Sequence, residues 1–200
     1  MIVRMSAGME ITMKQTDIIN PFQPYMTLEM DGYSQINRTD YGISHFYEFT
    51  IHDEKKHCIK AVPDASIDLL FNIGENKVST YISGTVFGVK KWELGTQDDC
   101  FGVRFQPGQG ILPKDITMEM IVNDDIEIDG DIFGKNLTEK IALAKTMSER
   151  IDIFKKAYED IVLGRSSLSD KEKINEYLVN RISRTCLLYT SPSPRDRSLS

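Results

Sequence analysis

Cysteine is scarce in this chain of 200 residues: Cys58, Cys100 and Cys186 stand far apart, with no second thiol near any of them. That spacing supplies neither a disulfide framework nor the paired ligands of a zinc site, and points to buried thiols in a reducing, cytoplasmic setting. Long apolar runs are missing too, so no segment reads as a membrane span. Met1 to Gly8 lacks the apolar core of a signal peptide. Positive charge is in deficit, with 24 Lys and Arg against 30 Asp and Glu and a net charge of −6. An acidic body argues against broad phosphate binding and against docking to a membrane through a polybasic face. The common catalytic signatures are absent as well. Gly108-Gln109-Gly110 lacks the third glycine of a dinucleotide fingerprint, Lys114 has no phosphate-loop spacing, and there is no G-x-S-x-G elbow. No catalytic residue is assigned, no cofactor is implied, and an enzyme is not the expectation.

What is present changes character near Pro107. Before it, period-two alternation dominates. His45 to Ile51 is rich in aromatic and β-branched residues and reads as a strand. In Ser66 to Ile73, Ile67, Leu69, Phe71 and Ile73 share one face, with Ser66, Asp68 and Asn72 on the other. Gly74 to Lys77 then turns the chain and Val78 to Ser83 pairs back as a hairpin. Lys90 to Leu94 and Cys100 to Phe105 add further strands. Short strands separated by turns suggest an antiparallel barrel or sandwich.

After Gly108 the pattern becomes helical. Asn136-Leu137-Thr138-Glu139, Thr146-Met147-Ser148-Glu149 and Ser169-Asp170-Lys171-Glu172 each fit the capping box. The second opens a helix with Ile151, Phe154, Tyr158, Ile161 and Val162 along one side, closed by Gly164. The third opens an amphipathic helix over 173–182.

Two local clusters invite metal readings and fail them on spacing. His45, His52 and His57 lie in one stretch, yet the close His-x-His pair and the carboxylate of a metal-binding barrel are not there; His52 and His57 flank the charged run 53–56, which reads as a hairpin loop. Asp125-Ile126-Glu127-Ile128-Asp129-Gly130 imitates the start of a calcium loop. Its twelfth position falls on Asn136, and Ile126 and Ile128 alternate like a strand, so an acidic edge segment is expected.

Val62-Pro63-Asp64-Ala65-Ser66-Ile67-Asp68-Leu69-Leu70-Phe71-Asn72 and Phe101-Gly102-Val103-Arg104-Phe105-Gln106-Pro107-Gly108 together resemble the signature stretches of the sensor domain of AraC-type transcriptional regulators. The resemblance extends over roughly 20–182. It implies an α+β fold: an antiparallel cupin-like β-barrel or sandwich, then a helical segment used in dimerisation, then helix-turn-helix units. The implied division is an N-terminal extension at 1–19, the sensor domain at 20–110, the helical segment at 111–165 and the start of a helix-turn-helix domain at 169–185. The implied partners are a small-molecule effector, a second copy in a homodimer, and DNA only through a C-terminal domain that this chain lacks. No DNA-binding residue is therefore assigned, and no membrane is expected.

For the effector pocket the resemblance directs attention to polar and aromatic groups among the strands: His45, Tyr47, Asp68, Asn72, Trp92 and Arg104. Each also has a structural reading, since Asp68 and Arg104 suit mutual pairing and Trp92 suits core packing. Two other classes stay open, a small cupin-like metal-dependent enzyme and a stand-alone β-sandwich interaction module. Residues 186–200 form a separate case. Cys186 to Asp196 resembles the in-frame translation of a transposase adapter used in sequencing libraries, so the natural reading frame is expected to diverge near Thr185.

Overall fold

The computed structural model describes residues 21, 23–30, 32–50, 58–75, 77–93, 99–110 and 112–164. The His52 and His57 loop, the third capping box, the helix over 173–182 and the tail lie outside these residues. In chain order the elements are α1 (Pro24–Glu29), β1 (Ser34–Asn37), β2 (Ile43–Thr50), β3 (Cys58–Ala61), β4 (Asp68–Ile73), β5 (Val78–Ser83), β6 (Lys90–Glu93) and β7 (Asp99–Phe105). They are followed by α2 (Met118–Ile121), β8 (Asp125–Ile128), α3 (Leu137–Leu143) and α4 (Met147–Gly164). Six strands form one antiparallel sheet in the order β1-β2-β7-β4-β5-β8, and β3 pairs with β6 in a separate two-stranded ribbon. The architecture is α+β.

Strand alternation sorts the sheet into two faces. Phe46 of β2, Leu69 and Phe71 of β4, Ile82 of β5 and Phe101, Val103 and Phe105 of β7 point to one side. They meet Leu137 and Ile141 of α3 and Ile151, Phe154 and Tyr158 of α4 in a single buried cluster. The α4 residues recur at the helical period, which turns one stripe of the helix onto the sheet. Phe154 is fully buried, with its ring edge-on to Phe46 at 5.9 Å and to Phe71 at 6.3 Å. Each such aromatic removes enough apolar surface from water to contribute about 1.5–3 kcal/mol, so the sheet and the two helices share one core.

The helix starts show which capping signals were used. At α4 the box closes in both directions: Glu149 N donates to Thr146 Oγ1 at 3.2 Å, and Thr146 N donates back to Glu149 Oε2 at 3.2 Å. At α3 the expected box does not form. Asn136 adopts left-handed backbone (φ 55°, ψ 34°) and its side chain caps nothing. Asp131 takes part of the role, its carboxylate accepting from Asn136 N at 2.7 Å. Asn at this position serves as a residue that tolerates positive φ rather than as a cap. The segment after residue 110 is not wholly helical either. The calcium-loop mimic forms β8, an edge strand paired with β5 through Ile82↔Ile126 and Tyr81↔Glu127.

Candidate ligand cavity

The face of the sheet turned away from the helices is not an ordinary solvated surface. It presents His45, Tyr47 and Phe49 from β2, Cys100, Gly102 and Arg104 from β7, Asp68, Leu70 and Asn72 from β4, and Tyr81 and Ser83 from β5. Gln23, Met26 of α1, Ala61 of β3 and Lys90, Lys91 and Trp92 of β6 close over it. They leave a cavity of about 310 Å³, within the range of small-ligand sites.

A three-residue ionic cluster stands at this cavity. Arg104 Nη2 lies 3.1 Å from Asp64 Oδ2 and 3.2 Å from Asp68 Oδ2, with the three side chains only 5%, 11% and 14% exposed. The loop before β4 is built to deliver Asp64. Asp64 Oδ1 accepts from Ser66 N at 3.1 Å in an Asx turn, while Ala65 takes the left-handed conformation at φ 59°. Gln23 clamps the same loop from the N-terminal side. Its Nε2 donates to Asp64 Oδ2 and to Val62 O, each at 2.8 Å, and its Oε1 accepts from Val62 N at 2.8 Å.

Burial pushes the Asp68 carboxyl up to about 6, against the opposing pull of Arg104. Burial also drives the Tyr47 hydroxyl well above its ordinary value. Arg104 moves upward, because Asp68 and Asp64 outweigh the cost of its own burial, so it stays charged. Tyr47 hydrogen-bonds to the Asp68 carboxyl, and among the described residues no partner reaches Asp68 Oδ1 or Arg104 Nε, both buried. Such atoms cost stability unless something supplies the missing bond.

The rest of the lining mixes aromatic, aliphatic, polar and charged side chains. Tyr47 stacks between Tyr33 and Phe49, with ring centroids 6.2 Å away on each side. Lys90 Nζ sits 3.7 Å from the centroid of the Trp92 ring, 3.5 Å from Asp124 Oδ1, and donates to Asn123 O. Cys100 is buried and donates its thiol to Asn72 Oδ1 at 3.1 Å.

Of the six residues the sequence nominated, Tyr47, Asp68, Asn72, Trp92 and Arg104 line this cavity together. His45 does not. It lies on the same face, opposite Arg104 in the β2–β7 register, with Nδ1 3.0 Å from Ser44 Oγ. Burial, reinforced by the Arg104 charge, lowers its pKa to about 4 and keeps the ring neutral. Sequence reasoning passed over Gln23, Asp64, Tyr81, Lys90 and Asp125. Asp64 alone carried a signal, as an Asp after Pro and before a strand. Among the described residues no group of three His, Cys, Asp or Glu side chains could hold a metal ion, and no helix is long and apolar enough to cross a membrane.

Fold and cavity together define the class: an α+β domain whose antiparallel sheet carries a helical core on one face and a ligand-sized polar cavity on the other. Residues 41–127 match the family described as Domain of unknown function (DUF6597). That stretch runs from β2 into β8 and contains most of the cavity, leaving out Gln23, Met26, α3 and α4. No curated protein and no solved structure matches the chain.

Proposed function

We propose that this chain is the effector-sensing part of a transcriptional regulator of the AraC type, with the cavity over β2, β4 and β7 as the effector site. The observation that carries the reading is the partly unsatisfied Arg104–Asp68 pair, buried in a cavity of ligand size. A sheet with no binding role would fill such a space with side chains or pair its buried polar atoms. The two stretches that resemble the sensor domain supply this pair: Asp68 follows the turn at 63–65, and Arg104 stands in the β7 strand.

In this reading the cupin-like part is the six-stranded sheet with the ribbon closing over it. The helices α3 and α4 relay occupancy of the cavity to DNA-binding units following residue 185, in a homodimer placed in the cytoplasm. Both helices rest on the opposite face of the strands that line the cavity. An effector that prefers one arrangement of that sheet therefore biases the helices as well.

The test begins with the source DNA. Sequencing across the Thr185 codon is expected to show a reading frame that continues into two helix-turn-helix patterns. A native frame that reproduces residues 186–200 and then stops would remove the regulator reading.

A further inference from the structure

One wall of the cavity does not belong to the sheet that forms its floor. Among the described strands β3 and β6 pair only with each other, from Cys58↔Glu93 to Ala61↔Lys90. Ala61, Lys90, Lys91 and Trp92 are the ribbon's share of the lining. A two-stranded ribbon is barely stable alone, so its position depends on what ties it to the body of the domain. The described ties are made by side chains rather than by a ladder. Gln23 holds Val62, the residue after Ala61, by donating to its carbonyl and accepting from its amide, each at 2.8 Å. Lys60 Nζ lies 4.9 Å from the centroid of the Tyr25 ring. On β6, Lys90 Nζ donates to Asn123 O and stands 3.5 Å from Asp124 Oδ1.

Asn123 is a fixed post for the Lys90 bond. Its backbone N donates to Thr85 O at 2.9 Å and its Oδ1 accepts from Phe87 N at 2.8 Å. The side chains of Lys90 and Asp124 are 30% and 65% exposed, so water screens their pairing and leaves it weak. The Gln23 and Lys90 ties grip the same end of the ribbon, because Ala61 faces Lys90 in the register. The floor strands β2, β7 and β4 are instead joined by continuous ladders over a buried aromatic core. Elements held by few, exposed contacts open locally before the whole domain unfolds. We infer that the ribbon is a flap that opens as one unit over the cavity, latched by Lys90 on the Asn123 carbonyl, while the six-stranded sheet stays closed. Lys90 and Trp92 share one face of β6, and Lys90 Nζ sits 3.7 Å from the centroid of the Trp92 ring, so releasing the latch also uncovers the ring. Passage of a ligand under the flap rests on the reading of the cavity as an effector site; the opening itself does not.

Hydrogen exchange of the full chain reads the opening without any ligand. Lys90→Met removes the latch and keeps an aliphatic stem at a partly exposed position. Bonded amides within 58–61 and 90–93 are expected to exchange about fivefold faster than in wild type, as the loss of one hydrogen bond gives. The factor should be the same in both strands, although only β6 carries the substitution, and the amides of β4 and β7 should not change. Trp92 is the single tryptophan of the chain, and acrylamide should quench its fluorescence more strongly in the variant. Acceleration confined to β6 would overturn the flap, because the ribbon would not move as a unit. Equal acceleration in β4 and β7 would overturn it as well, because the ribbon would not move apart from the sheet. Unchanged exchange in the ribbon would overturn the latch. The effector reading survives each of these failures, since it makes no claim on how the ribbon moves.

Discussion

Tyr47 lies flat across the bare Cα of Gly102, its partner in the β2–β7 register, so closely that a Cβ on Gly102 would run into the Tyr47 ring. Tyr47 is 3% exposed and forms part of the cavity wall. The glycine in the Gly102-Val103-Arg104-Phe105 stretch is therefore explained by close approach rather than by a turn. Gly102→Ala would force the ring toward the cavity. We expect a loss of about 1–3 kcal/mol in urea denaturation, the usual cost of overpacking. Any probe that binds the cavity should bind more weakly to this variant. Unchanged stability would mean that Tyr47 moves aside freely.

Arg104 holds two buried carboxylates, so its removal should cost more than the loss of one contact. Arg104→Leu leaves Asp64 and Asp68 uncompensated at 11% and 14% exposure. Breaking a buried ion pair from one side typically costs about 3–5 kcal/mol. The double variant Arg104→Leu, Asp68→Leu should recover part of that loss, because one stranded charge is gone. Urea denaturation of both variants measures the difference. A double variant less stable than the single one would place the cost in packing instead.

The parts of this architecture that were legible in the sequence are those encoded by local period. Leu69, Phe71 and Ile73 alternate with Asp68, Leu70 and Asn72, which assigned both the strand and its two faces before any partner strand was known. The α4 stripe was equally plain. The Gln23 clamp on Val62 and Asp64 had no such signal, since it joins residues 39 and 41 positions apart through one side chain. Asn136 misled because the same residue type suits an N-cap and a left-handed turn, and only the position of Asp131 decides between them. His45 was nominated for the pocket lining and stands outside the cavity that the other five line. It bonds to the adjacent Ser44 and stands opposite Arg104, a neighbour contributed by another strand that local pattern does not reveal.

The capping box at α4 offers an isolated test of a local interaction. Thr146 is exposed and its hydroxyl accepts from Glu149 N, so Thr146→Ala removes the bond and little else. A loss of about 1 kcal/mol is expected in thermal or urea denaturation. Glu149→Gln keeps a side-chain acceptor for Thr146 N and should cost less. Equal losses would assign the effect to the charge of Glu149 at the helix start.

His45 and Asp68 bend the pH dependence of stability in opposite directions. Burial lowers the His45 pKa from 6.5 to about 4, so between those values the unfolded chain binds a proton that the folded chain does not. Its contribution therefore rises with pH across that window and is lost as the solution is acidified. Burial raises Asp68 from 3.8 to about 6, so there the folded chain holds the extra proton, and this contribution falls as pH rises. Each slope approaches about 1.4 kcal/mol per pH unit, and over their shared window the two largely cancel. Asp68→Asn removes the falling term, so the stability of the variant relative to wild type should climb by about 2–3 kcal/mol from pH 4 to pH 6. His45→Gln removes the rising term, and its relative stability should fall by a similar amount over the same interval. Urea denaturation at half-unit steps, read as the difference from wild type, cancels the surface carboxylates common to all three proteins. A pH-independent offset for either variant would mean that the residue it replaces keeps its ordinary pKa in the folded state.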